Sequence, residues 1–192
     1  MKALTFIGSP RKKGNSEIAA RNLQVTLHRK NPELHFDIIR ADELEIKPCT
    51  GCGYCDRQGK CILTGDDMQE IYAKIEQASI INFVTPVYFG SMSGILKVLI
   101  DRLQPYYSAK YLLKQPRITG GNNKRMSLIV VSGRNDPKYA RNIQEIIEVV
   151  AVNLNFAFTQ TLHFPRVDQK GDINQAPAFD EQIQELAQLL TS

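Results

Sequence analysis

The sequence predicts an α/β protein built on a doubly wound parallel sheet of five strands, in the order 2-1-3-4-5. Short apolar runs suited to buried strands alternate with longer stretches whose apolar residues recur at helical spacing. Such alternation marks β-α-β units with helices on both faces of a parallel sheet. The 192 residues are 43% hydrophobic and 23% charged, enough apolar content to bury a core without disulfide staples. We read one domain over residues 1–192, interrupted by a cysteine-rich insertion loop at about 41–65.

Each element has its own signal. Lys2–Ile7 is a short apolar strand that stops at Gly8, and Ile18, Ala19, Leu23 and Leu27 place a helix over about Ser16–Arg29. Leu34–Arg40 is the second strand, with Leu34, Phe36 and Ile38 alternating on one side. Residues 41–65 show no period, and long irregular stretches in compact domains are usually functional. Asp66 with Gln69 three residues on predicts a capping box before a helix marked by Met68, Ile71, Tyr72 and Ile75. Ser79–Val84 is the third strand, and Ser93 opens a helix carrying Leu96, Leu99, Ile100 and Leu103. Gln104–Arg125 reads as a long loop. Met126–Ser132 is the fourth strand; Asp136 then Pro137 start a helix whose stripe is Ala140, Ile143, Ile147, Val150 and Leu154. Phe156–Phe164 is the last strand, and Pro177 precedes a final helix with Ile183, Leu186 and Leu190.

Composition excludes several classes. A net charge of +4 without a concentrated basic face argues against nucleic acid as a partner. No apolar run nears the ~20 residues of a membrane span, so no membrane partner is expected. Met1–Ser9 lacks a basic-then-apolar leader, so the expected location is cytoplasmic. His28, His35 and His163 are scattered and offer no catalytic constellation. The four cysteines, Cys49, Cys52, Cys55 and Cys61, crowd one short loop instead of spreading as a disulfide framework would, which points to metal or redox chemistry.

In an open α/β sheet of this order, ligands sit beyond the carboxyl ends of strands 1 and 3. The loop after strand 1 runs Gly8-Ser9-Pro10-Arg11-Lys12-Lys13-Gly14-Asn15-Ser16 into a helix N-terminus. Unpaired helix N–H groups, the hydroxyls of Ser9 and Ser16, the Asn15 amide and the Arg11 guanidinium together suit an anion, and Gly14 permits a tight turn. Five residues separate Gly8 from Gly14 and Asn15 stands where a Walker A lysine would be, so a triphosphate loop is disfavoured. No Gly-x-Gly-x-x-Gly fingerprint is present, and a terminal monophosphate, as on FMN, fits better. The loop after strand 3, Thr85–Ser93, sets Pro86, Val87, Tyr88 and Phe89 beside Gly90 and Ser91, offering a flat heteroaromatic ring both apolar contact and backbone donors. Gly133 and Arg134, after strand 4, face the same end of the sheet.

These loops, with the helix segment Lys97 to Asp101-Arg102, resemble the NADPH-dependent FMN reductase family of flavodoxin-like proteins, over nearly the whole chain. Within it the chain is most similar to iron–sulfur flavoproteins, whose compact Cys-x2-Cys-x2-Cys-x(4–7)-Cys motif is matched by Cys49, Cys52, Cys55 and Cys61. The resemblance implies that Ser9, Arg11, Asn15 and Ser16 hold the FMN phosphate. Pro86, Tyr88, Phe89, Gly90 and Ser91 would line the isoalloxazine. It also implies a homodimer or homotetramer, with the tyrosine-rich segment Pro105–Arg125 as the candidate contact.

Four local thiolates suit a single [4Fe-4S] cluster, and three cysteines in a row at x2 spacing favour a cluster over zinc. Free thiols or a redox pair remain the alternative reading of the same residues. The expected function is an FMN-dependent oxidoreductase, reduced by NAD(P)H or a ferredoxin-like donor and passing electrons to a small-molecule or redox-protein acceptor. FMN would carry the chemistry, so no acid–base dyad is needed and no catalytic side chain is assigned. The alternative is a non-catalytic FMN-binding electron carrier or redox sensor without a cluster.

Overall fold

The computed structural model describes residues 1–121 and 123–192. Five strands, β1 (Lys2–Ile7), β2 (His35–Arg40), β3 (Ile80–Pro86), β4 (Arg125–Ser132) and β5 (Ala157–Pro165), form one sheet in the order 2-1-3-4-5. Every neighbouring pair is parallel. The central strands β1, β3 and β4 are buried on both faces, as continuous apolar runs require in a sheet covered by helices.

The helices divide into two layers. One core packs α3 (Met68–Gln77), α4 (Gly94–Asp101) and α6 (Pro137–Leu154) on one face through Ile71, Ile75, Leu96, Leu99, Ile143 and Ile147. The other packs α1 (Asn15–Lys30) and α7 (Phe179–Thr191) on the opposite face through Leu23, Leu27, Ile183 and Leu186. Phe36 and Ile38 pack against this second core while Ile39 packs against the first, which bears out the alternation read in the second strand.

The helix starts expected at Ser93 and Asp136 form. Ser93 Oγ accepts the Leu96 N–H, Asp136 accepts the Lys138 N–H, and Pro137 takes the first helical position. The capping box at Asp66 and Gln69 does not form. Asp67 takes the cap position of α3, and the Gln69 amide donates to the Leu63 carbonyl instead of reaching back. Asp66 still accepts the Met68 N–H at the start of α3, at 3.2 Å, and also pairs with an arginine described below.

Both long irregular stretches hold short helices that periodicity could not register. Ala41–Glu43 is a 3-10 turn and α2 (Tyr54–Gln58) lies among the cysteines. The expected loop Gln104–Arg125 contains α5 (Gln104–Tyr107) and a π-helical turn, Ser108–Leu112; position 122 of that loop lies outside the described residues. Each is too short to show a repeat of 3.6 residues. No helix among the described residues is long and apolar enough to cross a membrane.

Candidate functional site

The loop after β1 and the loop after β3 meet where the carboxyl ends of those strands adjoin. Gly8 makes this approach possible, since a Cβ there would stand 2.9 Å from both Leu96 Cβ and Ser93 Oγ. Ser9, Arg11, Asn15 and Ser16 share a crevice of about 70 Å³ with Pro86, Val87 and Tyr88, closed by Ser132, Gly133 and Asp168. Helix α1 opens onto it from Gly14, whose extended conformation caps the helix without any side-chain hydrogen bond. The first N–H groups of a helix have no partner within it, so this end carries free donors and the positive end of the helix dipole.

The hydroxyl-bearing residues Ser9 and Ser16 are buried, at 5% and 2% exposed, and Ser9 Oγ accepts the Arg11 N–H. Asn15 is beside the crevice, but its amide is fully engaged by the segment after β5. Its Nδ2 donates to the carbonyls of Val167 and Gln169, and its Oδ1 accepts the N–H groups of Gly171 and Ile173. Arg11 Nη1 donates to the Asp168 carbonyl at 2.7 Å. Arg11 is exposed and long, so it can leave that carbonyl for a better anion; Asn15 is buried and pinned.

The loop is shaped from beneath by residues that sequence reasoning missed. Glu17 accepts the Lys13 N–H at 2.8 Å, which holds Lys13 at φ +53, and forms an ion pair with Arg40 at 2.7 Å. Arg40, at the end of β2, also donates to the Ser9 carbonyl at 3.1 Å and pairs with Asp42. Burial works against the Glu17 charge, but the Lys13 N–H, Arg21 and Arg40 outweigh it and hold the carboxyl below its usual range. The available signal was an acid in the first turn of a helix with an arginine ending the adjacent strand.

The β3 loop turns at Tyr88–Ser91, whose two backbone hydrogen bonds close a tight two-residue turn with Phe89 at φ +49 and Gly90 at φ +79. Both central residues being left-handed is the type I′ geometry. The turn is braced by α6. Asn142 donates to the Gly90 carbonyl, and the Tyr139 ring would stand 3.0 Å from a Cβ at Gly90. Tyr88 reaches the crevice, Phe89 is wholly exposed at the tip, and Gly90 and Ser91 shape the turn without lining the crevice. Next to it, Ser132 Oγ donates to the Arg134 carbonyl and meets His163 Nε2 at 2.9 Å. Burial lowers the His163 pKa and so favours the neutral ring.

All four cysteines line a second cavity, of about 450 Å³, with Arg102, Gln104 and Pro105 on its far wall. Gly51, Gly53 and Gly59 adopt φ near +65, which lets the loop curl around it. The thiols are free, and among the described residues no three acid, cysteine or histidine groups approach closely enough to hold one metal ion. Burial, with the Asp56 carboxylate alongside, pushes the Cys55 thiol above its ordinary pKa. Arg102 and Asp66 form a fully buried ion pair against this cavity, at 0% and 1% side-chain exposure.

A five-stranded 2-1-3-4-5 sheet with an uncapped helix end at its switch point is a flavodoxin-like fold. The chain matches the NADPH-dependent FMN reductase family over residues 1–161 and belongs to it. An iron-sulfur flavoprotein of Methanosarcina thermophila is 30% identical over 184 residues, covering 95% of this chain and 87% of the relative. One from Methanocaldococcus jannaschii is 40% identical over 105 residues, covering 55% of this chain and 53% of the relative. One from Archaeoglobus fulgidus is 35% identical over 107 residues, covering 55% and 47%. The match thus spans about half the length of these last two relatives. Among solved structures, the NAD(P)H:quinone oxidoreductase from Methanothermobacter marburgensis superposes with a TM-score of 0.73 at 12% identity, covering 97% of this chain and 94% of that one. An azoreductase from Bacillus anthracis gives 0.66 at 16% identity, covering 97% and 98%. At such identities these structures support the fold alone.

Proposed function

We propose that this chain, acting as one unit over residues 1–192, is an FMN-dependent oxidoreductase reduced by NAD(P)H or a ferredoxin-like donor, with an iron–sulfur cluster on its cysteine loop. The observation that carries the flavin reading is the uncapped N-terminus of α1 opening, with Ser9 and Ser16, onto a crevice walled by Val87 and Tyr88. These donors fit a phosphate: N–H groups, two buried hydroxyls and an exposed guanidinium, with Asp168 the one acid among the residues that line the crevice. Asn15 would act by holding the 167–173 segment in place. The exposed faces of Tyr88 and Phe89 supply the apolar contact for the ring system.

The donor set of the second cavity fits a cluster. Four free thiols line one cavity of about 450 Å³, and a local set of four thiolates is the donor set of a multinuclear iron–sulfur cluster. Three cysteines in a row at x2 spacing weigh against a two-pair zinc site. When bound, FMN exchanges electron pairs with nicotinamide and single electrons with a cluster. The protein's own part is to bind, orient and shield. The subunit contact of a homodimer or homotetramer would use the exposed apolar residues Tyr107, Tyr111 and Leu112, with Val149, which shares a groove with Tyr107.

The deciding experiment is the absorbance spectrum of protein purified without oxygen, followed by NADPH and an artificial acceptor. Flavin bands over broad brown absorbance that bleaches on reduction, with rapid turnover, support the proposal in full. A clean flavin spectrum removes the cluster. A bound flavin that nicotinamides cannot reduce makes the chain a carrier or sensor. A colourless protein that takes up no FMN sinks the reading.

A further inference from the structure

Arg102, at the end of α4, is the most voluminous of the fully buried side chains. Its guanidinium joins the two arms of the cysteine loop. Nη1 donates to the Lys47 carbonyl at 2.6 Å and Nη2 to the Leu63 carbonyl at 3.3 Å. Lys47 stands two residues before Cys49, and Leu63 two residues after Cys61. Asp66 completes the closure, pairing with Arg102 at 2.5 Å and accepting the Lys47 N–H at 3.2 Å. Tyr72 anchors the arginine from behind by donating its hydroxyl to the Arg102 carbonyl.

One donor of this group is left over. Arg102 Nε is buried and has no partner among the described residues, and Arg102 lines the same cavity as the four thiols. A buried ion pair is a poor device for stability alone, because desolvation cancels most of its attraction. A buried donor left unpaired is a further cost. Both features make sense if the group serves the cavity beside it.

We propose that Arg102 is a positioning residue for the cysteine cavity. With Asp66 it clasps the two arms of the loop, so the four thiols face one space before anything is bound. Its unpartnered Nε–H is the donor offered to a sulfur of the thiolate-held group. The second half of this inference rests on the cluster reading above. Hydrogen bonds and positive charge near a cluster's sulfurs favour its more negative, reduced state, so Arg102 raises the reduction potential.

Two variants test it. Arg102→Lys keeps a charge opposite Asp66 but lacks the planar fork and the Nε–H. Arg102→Met combined with Asp66→Leu removes both charges together and leaves no lone buried ion. Each chain is reconstituted anaerobically with ferrous iron and sulfide. Iron and labile sulfide per FMN, the rate of cluster loss to a chelator, and the cluster's midpoint potential are then measured, with FMN content as the folding control. The double variant should hold FMN as the parent does and lose its cluster about tenfold faster or more. Arg102→Lys should retain the cluster at a lower potential. A double variant that keeps its cluster as long as the parent, or an Arg102→Lys chain with an unchanged potential, overturns the proposal. If the double variant loses FMN as well, Arg102→Lys decides alone. If the parent chain takes up no cluster, the cluster reading and the donor role of Nε both fall. Hydrogen exchange of amides 48–62 in the cluster-free chains then decides the clasp: faster exchange in the double variant upholds it, and equal exchange removes it.

Discussion

Glu17 on α1 and Arg40 on β2 form an ion pair at 2.7 Å with side chains only 9% and 10% exposed, directly beneath the loop that joins β1 to α1. Through it, the Lys13 N–H and the Ser9 carbonyl are held by a single connected group of charges. The loop proposed for the phosphate is therefore shaped before any anion arrives. Glu17 sits near the positive end of α1, where its negative charge would compete with a phosphate; Arg40 and Arg21 neutralise it.

Glu17→Ala should therefore loosen the loop and leave Arg40 with only Asp42 and Glu43 as partners. The expected loss is about 2 kcal/mol of stability, less than for a fully isolated buried pair because those two acids remain. Urea unfolding measures it, and FMN titration should show binding weakened about tenfold, the equivalent of ~1.4 kcal/mol. The pH dependence follows from the lowered Glu17 pKa. Its folded value lies below the ordinary 4.5, so its contribution is complete above that value and is lost as pH falls through the folded one. The stability difference between parent and variant should accordingly shrink as pH drops below about 4.5. A difference that stays constant from neutral pH to acid would remove Glu17 as the source.

Phe89 holds a left-handed conformation that bulky residues avoid, while its ring is wholly exposed. The turn's hydrogen bonds hold the backbone there, but the exposed ring itself gains no burial against a strain of order 1 kcal/mol. Phe89→Asn keeps the turn and relieves the strain, so it should raise Tm by about 2–4 °C. It should also weaken FMN binding, because the exposed ring is the apolar surface proposed for the flavin. A variant that is more stable and binds FMN unchanged would free Phe89 from that role.

Asn15 separates two roles cleanly. As an anchor it fills all its hydrogen-bonding positions with residues 167–173. Asn15→Ala should thus speed hydrogen exchange of the Gly171 and Ile173 amides in the absence of FMN. It should also cost about 2 kcal/mol, since it strands several buried polar groups. Unchanged exchange at those amides, with FMN binding alone reduced, would return Asn15 to direct contact with phosphate.

Much of this was legible in the sequence for a plain reason. Strands buried on both faces, such as Ile80–Pro86, and strongly periodic helices, such as Pro137–Leu154, each announce themselves within a window of ten residues. Glycines and hydroxyls at strand ends likewise marked the loop that lines the crevice at the switch point, and clustered cysteines marked the second cavity. The missed features depend on residues far apart in the chain. Arg40 reaches Ser9, and Arg102 reaches Lys47 and Leu63, across spans no local pattern encodes. The capping box failed for the same reason: Asp66 accepts the Met68 N–H while paired with Arg102, and the Gln69 amide that should reach back goes to the Leu63 carbonyl.

The cysteine loop offers a last prediction that needs no bound group. Alkylation proceeds through the thiolate, so it reports both exposure and pKa. Cys49 and Cys52 are exposed, whereas Cys55 is half-buried with its thiol pushed up by burial and by the Asp56 carboxylate. In cluster-free protein near pH 8, iodoacetamide should modify Cys55 more slowly than Cys49 or Cys52, as mass spectrometry of quenched samples would resolve. Asp56→Asn should speed Cys55 selectively, because it removes a negative charge that opposes the thiolate while leaving the burial intact. If Cys55 reacts as fast as Cys49, the loop does not hold its thiols inward in the free protein. After reconstitution with iron and sulfide, all four should become unreactive together, since each thiolate would be a ligand of the same group. Protection of only two would point instead to a redox pair.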